Sequence, residues 1–492
     1  MNRSLLFKLL PLVIICIGLF PRLYKINLPL LDAKPHREIH TAEVTRNLYL
    51  DNFNVLYTKT KLWADEPGYY LCEFPIYNVL AAIPYVIFGT INEVWGKLIS
   101  VFSSIGLAIF FFLLIRKYFN NTVAVWALIF AYLISPQEII LSRSYQPDQF
   151  GLFLGMGSLY FFSCWISYRK ISDYFYSIIL FMLTLLVKVQ FFHFGVPMIY
   201  LAYEKFGKNF VKNKFIILYC ISGIPILLWL THIKSVYLLY PNLQSAFVLN
   251  ANYWIALDKI FNLNWYINIF YDFIEQVITL PVFMLALTAF FIKTKVKFNF
   301  IFSWLFGLLI FVFLFSRNIN YWYYQVPILF PLTVLAGITV DYLSTYLKNT
   351  IKLRKFYTIV IIITLMIFTG KPYLLRTYAS SLNHKYVLET ANNVKNIAKS
   401  NSKIITSSYN NASLTYYSLR PDMWGATFDI NEPSCTNSCA IDKFENLIKW
   451  GASLYVVSDE SEFLQNPEFL NYLKNKYKTI ISNSKFVIFE LK

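Results

Sequence analysis

Repeated apolar blocks, long enough or nearly long enough to cross a bilayer, constrain this chain more than any other feature. They lie at about 5–21, 97–115, 121–135, 149–167, 173–187, 190–203, 214–231, 274–292, 299–316, 325–346 and 355–370. A hydrocarbon core of about 30 Å takes roughly 20 apolar residues in helical form. Lipid leaves every backbone polar group to be satisfied within the segment, and a helix does this. Only 14% of the residues are charged, against roughly 25% in soluble domains. The pattern predicts a polytopic α-helical membrane protein of about eleven transmembrane helices. The first block has the basic start and apolar core of a signal peptide, but "PRLYKIN" follows in place of a small-residue cleavage site. It reads as an uncleaved first helix.

Net charge is +17, yet the lysines fall in short loops between apolar blocks, where they set topology rather than bind nucleic acid. With the N-terminus inside, seventeen Lys and Arg fall on the cytoplasmic side, in the N-terminal segment and in "RKYFNN", "YRK", "EKFGKNFVKNK", "KTKVK" and "LKNTIKLRK". The short opposite loops carry Arg143, Lys188, Lys234, Lys259 and Arg317. That bias predicts a cytoplasmic N-terminus and an extracytoplasmic C-terminus, and the chain is expected in the inner (plasma) membrane. Of the six cysteines, Cys435 and Cys439 in "PSCTNSCAI" are close enough for a local disulfide if that region meets an oxidising compartment.

Two external pieces interrupt the regular alternation. The first loop, about 22–96, is too long for a connector, and its apolar stretch 75–89 is too short for a crossing. An interfacial or juxtamembrane helix fits there. The tail 371–492 alternates helix-like and strand-like segments, which predicts a small soluble α/β domain after a transmembrane region spanning 1–370.

Five separate external turns bring ionisable or hydrogen-bonding groups to the same membrane face. Asp32, Lys34, His36, Arg37 and His40 follow the first helix, Glu73 opens the interfacial helix, and Arg143 and Asp148 lie in "SRSYQPDQFG". Lys188 and Gln190 sit at a tight turn, and Arg317 precedes "NYWYYQVP" with Tyr323, Tyr324 and Gln325. Each has a plainer reading. Asp32 fits a solvated loop, Asp148 a helix cap or first-turn acid, Lys188 a snorkelling helix end, and the tyrosines an interfacial belt. Their co-location favours a site. The histidines lack metal-motif spacing, and no Walker motif or G-x-S-x-G elbow is present.

In order along the chain stand Asp32, Arg37, Thr41-Ala42 and Arg46-Asn47; then Glu73-Phe74-Pro75; then Arg143, Pro147 and Asp148; then Lys188; then Tyr323, Tyr324, Pro327, Pro331 and Ala336-Gly337. On these motifs, which span most of residues 1–346, the chain resembles the multi-pass GT-C glycosyltransferases of the protein O-mannosyltransferase and aminoarabinose (lipid A) transferase group. The resemblance is in particular to their bacterial, dolichyl-phosphate-mannose-protein mannosyltransferase-like members. It departs from them at Lys34-Pro35, where a His-Glu pair is common, and at Tyr321-Trp322, where a polar residue often precedes the tyrosine pair.

The resemblance implies transfer of a monosaccharide (hexosyl or pentosyl) from a polyprenyl-phosphate donor to a lipid, protein or cell-envelope glycan on the extracytoplasmic face. It implies inversion, with Asp32 as general base and Arg37, Glu73 and Asp148 in the catalytic group. Lys188, Arg143 and Arg317 would bind the donor phosphate or its lipid, while His36, Tyr323, Tyr324 and Gln325 would face sugar or acceptor. Asp32, Glu73 and Asp148 together leave room for a divalent metal, although no dedicated metal site is expected. The rival class is a lipid or sugar-lipid flippase. Transporters place ionisable groups near the midplane and often carry inverted repeats; here the charges sit at helix ends and no repeat is evident.

Overall fold

The structure is a computed structural model, and it describes residues 3–31, 36–61, 67–241, 254–292, 298–346, 385–399, 402–406, 411–421, 437–457, 467–483 and 485–492. Asp32, the 370/371 boundary and Cys435 lie outside them, as does the side chain of Cys439.

Helix α1 (Arg3–Leu23) is followed by α2 (His36–Leu50), a polar helix whose residues are mostly buried, and by α3 (Ile76–Phe88). Thirteen residues are too few to cross a bilayer, so α3 has the length expected of the short helix in the first loop. Then come α4 (Val94–Tyr118), α5 (Asn121–Ile134), α6 (Pro136–Leu141), α7 (Asp148–Tyr168), α8 (Ile171–Val187), α9 (Gly195–Phe206) and α10 (Lys214–Leu239). Helices α11 (Leu263–Ile278) and α12 (Leu280–Phe291) meet at 99°. Thr279 at the break has φ +67°, an uncommon conformation for a β-branched residue. Helices α13 (Asn299–Leu314) and α14 (Trp322–Tyr346) follow, the last of the bundle among the described residues.

Among the described residues, four helices (α4, α7, α10 and α14) are long and apolar enough to cross a membrane, five if the bent α11–α12 pair forms one span. Four further apolar helical segments, Leu9–Leu23 within α1 and those at α5, α8 and α13, are shorter, 10–17 residues long. The block at 355–370 lies outside the described residues. Outward-facing Phe20, Phe102, Leu227 and Leu309 are exposed, the surface an apolar solvent wets. Inside, small residues admit close packing. A Cβ on Gly155 of α7 would stand 2.3 Å from the Phe194 ring. Ser158 and Ser177 exchange hydroxyl-to-carbonyl hydrogen bonds of 2.7 and 2.8 Å, locking α7 to α8.

The tail carries α15 (Lys385–Ile397), β1 (Lys403–Thr406), α16 (Asn411–Ser418), α17 (Asn437–Lys449), β2 (Ala452–Val457), α18 (Pro467–Lys476), β3 (Lys478–Ser482) and β4 (Val487–Glu490). The strands form one sheet in the order β1-β2-β4-β3, with β1 parallel to β2 and the other pairs antiparallel. Successive residues of β2 point to opposite faces. Leu454 and Val456 pack with Val387, Ala391 and Val394 of α15, whereas Tyr455 and Val457 pack with Phe444 of α17 and Phe469 of α18. Both faces of the sheet are thereby covered. Leu31, at the end of the loop leaving α1, joins the α15 side of that core.

Candidate functional site

Turns at one end of the bundle converge because hydrogen bonds tie each to its neighbour. The Phe74 amide donates to the Leu186 carbonyl at 3.1 Å, which sets Glu73 beside the end of α8. The carbonyls of Leu71 and Cys72 accept from the Tyr237 hydroxyl (3.3 Å) and the Trp229 indole (3.1 Å) of α10. The Tyr145 amide donates to the Glu38 carboxylate at 2.8 Å, fastening the turn that carries Arg143 and Asp148 onto α2. Asn78 of α3 donates to the Thr41 carbonyl at 2.8 Å and to the Thr45 hydroxyl at 3.0 Å.

Two ion pairs occupy the junction. Lys188, extended at the end of α8, meets the Asp148 carboxylate at 2.5 Å, and both side chains are 3% exposed. Lys188 is therefore buried and paired rather than snorkelling. Pro147 takes the N-cap of α7, so Asp148 acts as a first-turn acid whose Oδ1 serves Lys188. Its Oδ2 is buried with no hydrogen-bond partner among the described residues. The Lys188 ammonium also lies 4.9 Å from the ring centre of Tyr323 and 4.5 Å from that of Tyr324, within cation–π range. The second pair, Arg37 with Glu73, is about one-fifth exposed on each side.

A pocket opens between the turns, lined by Arg37, His40, Tyr70, Cys72, Glu73 and Pro147 among others. Burial works against the Arg37 charge, but Glu73 first, then Tyr70, Tyr323 and Asp148, outweigh it and hold the guanidinium well above its ordinary pKa. Burial, reinforced by Glu73, pushes the Cys72 thiol up to about 12, so it stays protonated at neutral pH and is no thiolate nucleophile. Burial, followed by His36 and Arg37, holds His40 well below the usual histidine range. His40 is thus a neutral imidazole stacked on Tyr70 at 5.2 Å. His36 stacks on His40 at 6.1 Å and is likewise lowered by burial.

The structure brings together Arg37, Glu73, Asp148, Lys188, Tyr323 and Tyr324, with His36 one helical turn from His40. It places three other candidates apart. Arg143 donates to the carbonyls of Pro21 (3.4 Å) and Lys25 (3.1 Å), beside the end of α1. Arg317 pairs with Asp258 at 2.9 Å on an exposed rim. Gln325 donates to the Ile319 carbonyl at 2.9 Å, bracing the turn before α14. Among the described residues no three His, Cys, Asp or Glu side chains form a metal-ligating group.

Sequence reading passed over Tyr70 and Cys72, since a neutral tyrosine and a lone cysteine in a long loop carry no pattern. It also missed two buried pairs. Arg22 of α1 meets Glu138 of α6, with Gln149 donating to the same carboxylate at 3.1 Å. Glu43 takes Arg46 at 3.0 Å and the Thr60 hydroxyl at 2.6 Å. The polar "PQE" after an apolar block was the available signal for Glu138.

Residues 65–232, which contain Glu73, Arg143, Asp148 and Lys188, match the family model described as dolichyl-phosphate-mannose-protein mannosyltransferase. No curated protein sequence matches the chain significantly. Solved structures do. ArnT from Cupriavidus metallidurans bound to undecaprenyl phosphate aligns with TM-score 0.62 at 12% identity, over 98% of both chains. The oligosaccharyltransferase of Archaeoglobus fulgidus tethered to an acceptor peptide aligns with TM-score 0.59 at 10% identity, over 93% of this chain and 70% of that one. The archaeal oligosaccharyltransferase AglB from Archaeoglobus fulgidus, in complex with an inhibitory peptide and a dolichol-phosphate, gives 0.57 at 12% identity, over 96% and 72%. The resemblance drawn from the sequence motifs is thus met twice: residues 65–232 are similar to the mannosyltransferase family model, and the chain shares its fold with ArnT and AglB.

Proposed function

We propose that this protein is a membrane glycosyltransferase that moves a monosaccharide from a polyprenyl-phosphate donor to an acceptor on the extracytoplasmic face. The observation that carries the reading is the junction itself: two cations, Arg37 and Lys188, held by the carboxylates Glu73 and Asp148 beside an open pocket and the Tyr323–Tyr324 pair. The solved relatives hold undecaprenyl phosphate and dolichol-phosphate, ligands of the chemistry this junction suits.

In the reaction, the acceptor oxygen or nitrogen attacks the anomeric carbon and its proton passes to Asp32. The bond from that carbon to the phosphate oxygen breaks on the opposite face, inverting the configuration, as a single displacement requires. The departing polyprenyl phosphate changes from a diester monoanion towards a monoester dianion. Arg37 and Lys188 meet that added charge, and fixed cations in a site screened from water stabilise it without reorganising. Glu73 and Asp148 fix the two cations in place, and Tyr323 and Tyr324 offer ring faces to the sugar. His36 lies beside the pocket, where it would contact sugar or acceptor. Arg143 and Arg317, fastened elsewhere, would serve the lipid carrier's approach rather than the leaving phosphate.

The test is transfer in nanodiscs from radiolabelled polyprenyl-phosphate sugars, comparing the wild type with Asp32→Asn. Labelled product from the wild type, lost by about a thousandfold or more in the variant, is expected for a missing base acting with the site's other groups. Near-normal turnover by a well-expressed Asp32→Asn protein removes Asp32 from the mechanism. Labelled lipid that crosses the bilayer without sugar transfer overturns the enzyme reading in favour of a flippase.

A further inference from the structure

Glu43 of α2 is a fully buried carboxylate outside the transfer chemistry, and its two oxygens serve two different parts of the chain. One accepts from the Thr60 hydroxyl at 2.6 Å, the other from the Arg46 guanidinium at 3.0 Å. Thr60 and Arg46 are buried as well. Thr60 belongs to a short antiparallel ladder of residues 58–60 with 68–70. Its amide donates to the Gly68 carbonyl at 2.9 Å, and the Tyr70 amide donates to the Thr58 carbonyl at 2.8 Å. Arg46 reaches the other way: a second nitrogen donates to the Tyr416 carbonyl of α16 at 2.8 Å, with the guanidinium 4.4 Å above the Tyr416 ring centre. Helix α16 is itself fastened to the bundle. The Leu30 amide donates to the Tyr417 hydroxyl at 2.8 Å, and the Ser413 hydroxyl donates to the Leu30 carbonyl at 3.3 Å.

The ladder and α2 are two walls of the pocket. Thr58 and Tyr70 line it from the ladder, and Arg37, His40, Thr41 and Val44 line it from α2. The Arg37 guanidinium meets the Tyr70 hydroxyl at 3.5 Å. Arg46 follows Arg37 by nine positions, about two and a half helical turns, so it leaves α2 on the side away from the pocket. There Ala412 and Tyr416 of α16 pack with Ile39, Ala42 and Leu48 of α2. A buried ion pair adds little net stability, and apolar side chains of the same volume would hold α2 to α16 as firmly. Apolar side chains would not bond the Thr60 hydroxyl and the Tyr416 carbonyl, whereas charge-assisted hydrogen bonds are short and directional and fix the groups they join.

We propose that Glu43 and Arg46 are positioning residues for the transfer reaction: as one buried pair they bolt the ladder carrying Thr58 and Tyr70 to α2, and α2 to the tail, and so fix the spacing of the pocket's two walls. The proposal rests on the reading of that pocket as the transfer site. An error of about 1 Å in placing a reacting group costs up to about a hundredfold in rate. The loss falls on turnover rather than on phosphate binding, because Arg37 and Lys188 are held by Glu73 and Asp148. Glu73 is in turn set by the Phe74 amide on the Leu186 carbonyl, not by the ladder.

The experiment uses the full-length protein in nanodiscs and leaves Glu43 in place, so that no buried charge is stranded. It compares wild type with Thr60→Val, Thr60→Ser and Arg46→Lys. The readouts are amide exchange at Thr60 and Tyr70, equilibrium binding of undecaprenyl phosphate, and kcat across a panel of radiolabelled undecaprenyl-phosphate sugars. Thr60→Val removes the hydroxyl that Glu43 accepts. Expected are exchange at the two amides about five- to tenfold faster, kcat lower by about ten- to a hundredfold, and undecaprenyl phosphate affinity within about twofold of wild type. Thr60→Ser keeps the hydroxyl and should match wild type in all three. Arg46→Lys keeps the charge but loses the fork that spans Glu43 and Tyr416, and its kcat should fall in the same range. Unchanged kcat or exchange in Thr60→Val overturns the proposal. So does a loss that Thr60→Ser shares, or one confined to undecaprenyl phosphate affinity. Should Thr60→Val fail to fold, Arg46→Lys decides, and wild-type turnover in it overturns the proposal. A wild type that transfers no sugar from any donor overturns the enzyme reading and this inference with it. An active wild type matched by Thr60→Val overturns this inference alone.

Discussion

Replacing Asp148 by Asn, Lys188 by Met, or both, separates what their ion pair does for folding from what it does for chemistry. At 2.5 Å, with an effective dielectric constant of about 20, the Coulomb attraction is of order 6–7 kcal/mol. Removing two ions from water costs several kcal/mol each, so the pair as a whole stabilises the fold little. Breaking it is another matter. Asp148→Asn leaves a buried ammonium without its anion, and Lys188→Met leaves a buried carboxylate one of whose oxygens already lacks a partner among the described residues. Each single change is expected to cost about 3–5 kcal/mol. The Tyr323 and Tyr324 rings 4.9 and 4.5 Å from the ammonium offset about 1–2 kcal/mol of that for Asp148→Asn. Asp148→Asn/Lys188→Met removes both charges and is expected to lie within about 2 kcal/mol of wild type. Thermal unfolding in detergent, followed by tryptophan fluorescence, should therefore rank wild type and the double variant above both singles. Transfer activity should follow a different order, with both Lys188→Met proteins inactive however stable they are. Singles that unfold with the wild type would show that the pair is solvated. A stable double variant that keeps wild-type turnover would show that Lys188 does not serve the leaving phosphate.

Glu73→Gln removes the charge that fixes Arg37 in place, and equilibrium binding of undecaprenyl phosphate should weaken by about tenfold, with kcat falling as well; tighter binding would mean that Glu73 masks Arg37 rather than orients it. In the tail, burial raises the Glu445 pKa, but hydrogen bonds from Lys476, Tyr472 and Tyr477 outweigh it and hold the carboxyl at about 2. A lowered acid pKa contributes stability above the ordinary value of 4.5 and loses it as pH falls towards about 2. The difference in unfolding midpoint between wild type and Glu445→Gln should thus be present at pH 7 and vanish near pH 2. A difference that persists there would place the contribution in packing instead.

Six of the candidate residues meet at one junction, and the reason they were legible is that a charge at the end of an apolar helix is expensive unless something there needs it. Glu73, Asp148 and Lys188 each interrupt or border a long apolar run, and Tyr323 and Tyr324 stand at the start of another. What the sequence withheld was pairing. Arg37, Arg143, Lys188 and Arg317 look equivalent as cations on one face, yet Arg37 lines the pocket and Lys188 is buried against Asp148, while Arg143 serves the carbonyls of Pro21 and Lys25 and Arg317 serves Asp258. Those partners come from segments distant in sequence or from a backbone end, and neither leaves a periodic trace. Patterning also showed alternating helix and strand in the tail, because burial of both sheet faces imposes apolar runs on β1, β2 and β4. It could not show that β4 inserts between β2 and β3, nor that α16 closes on Leu30, since a backbone grip by one tyrosine and one serine requires nothing of the residue it holds. The same limit explains Thr279: a 99° bend between two apolar helices reads as one continuous span when hydropathy is the only signal, and its strained φ belongs to tertiary contacts such as the Ser135 hydroxyl on the Val277 carbonyl at 2.6 Å. Apolar length therefore reports where a chain enters lipid, whereas function here depends on where that length is broken and on which distant residue receives the break.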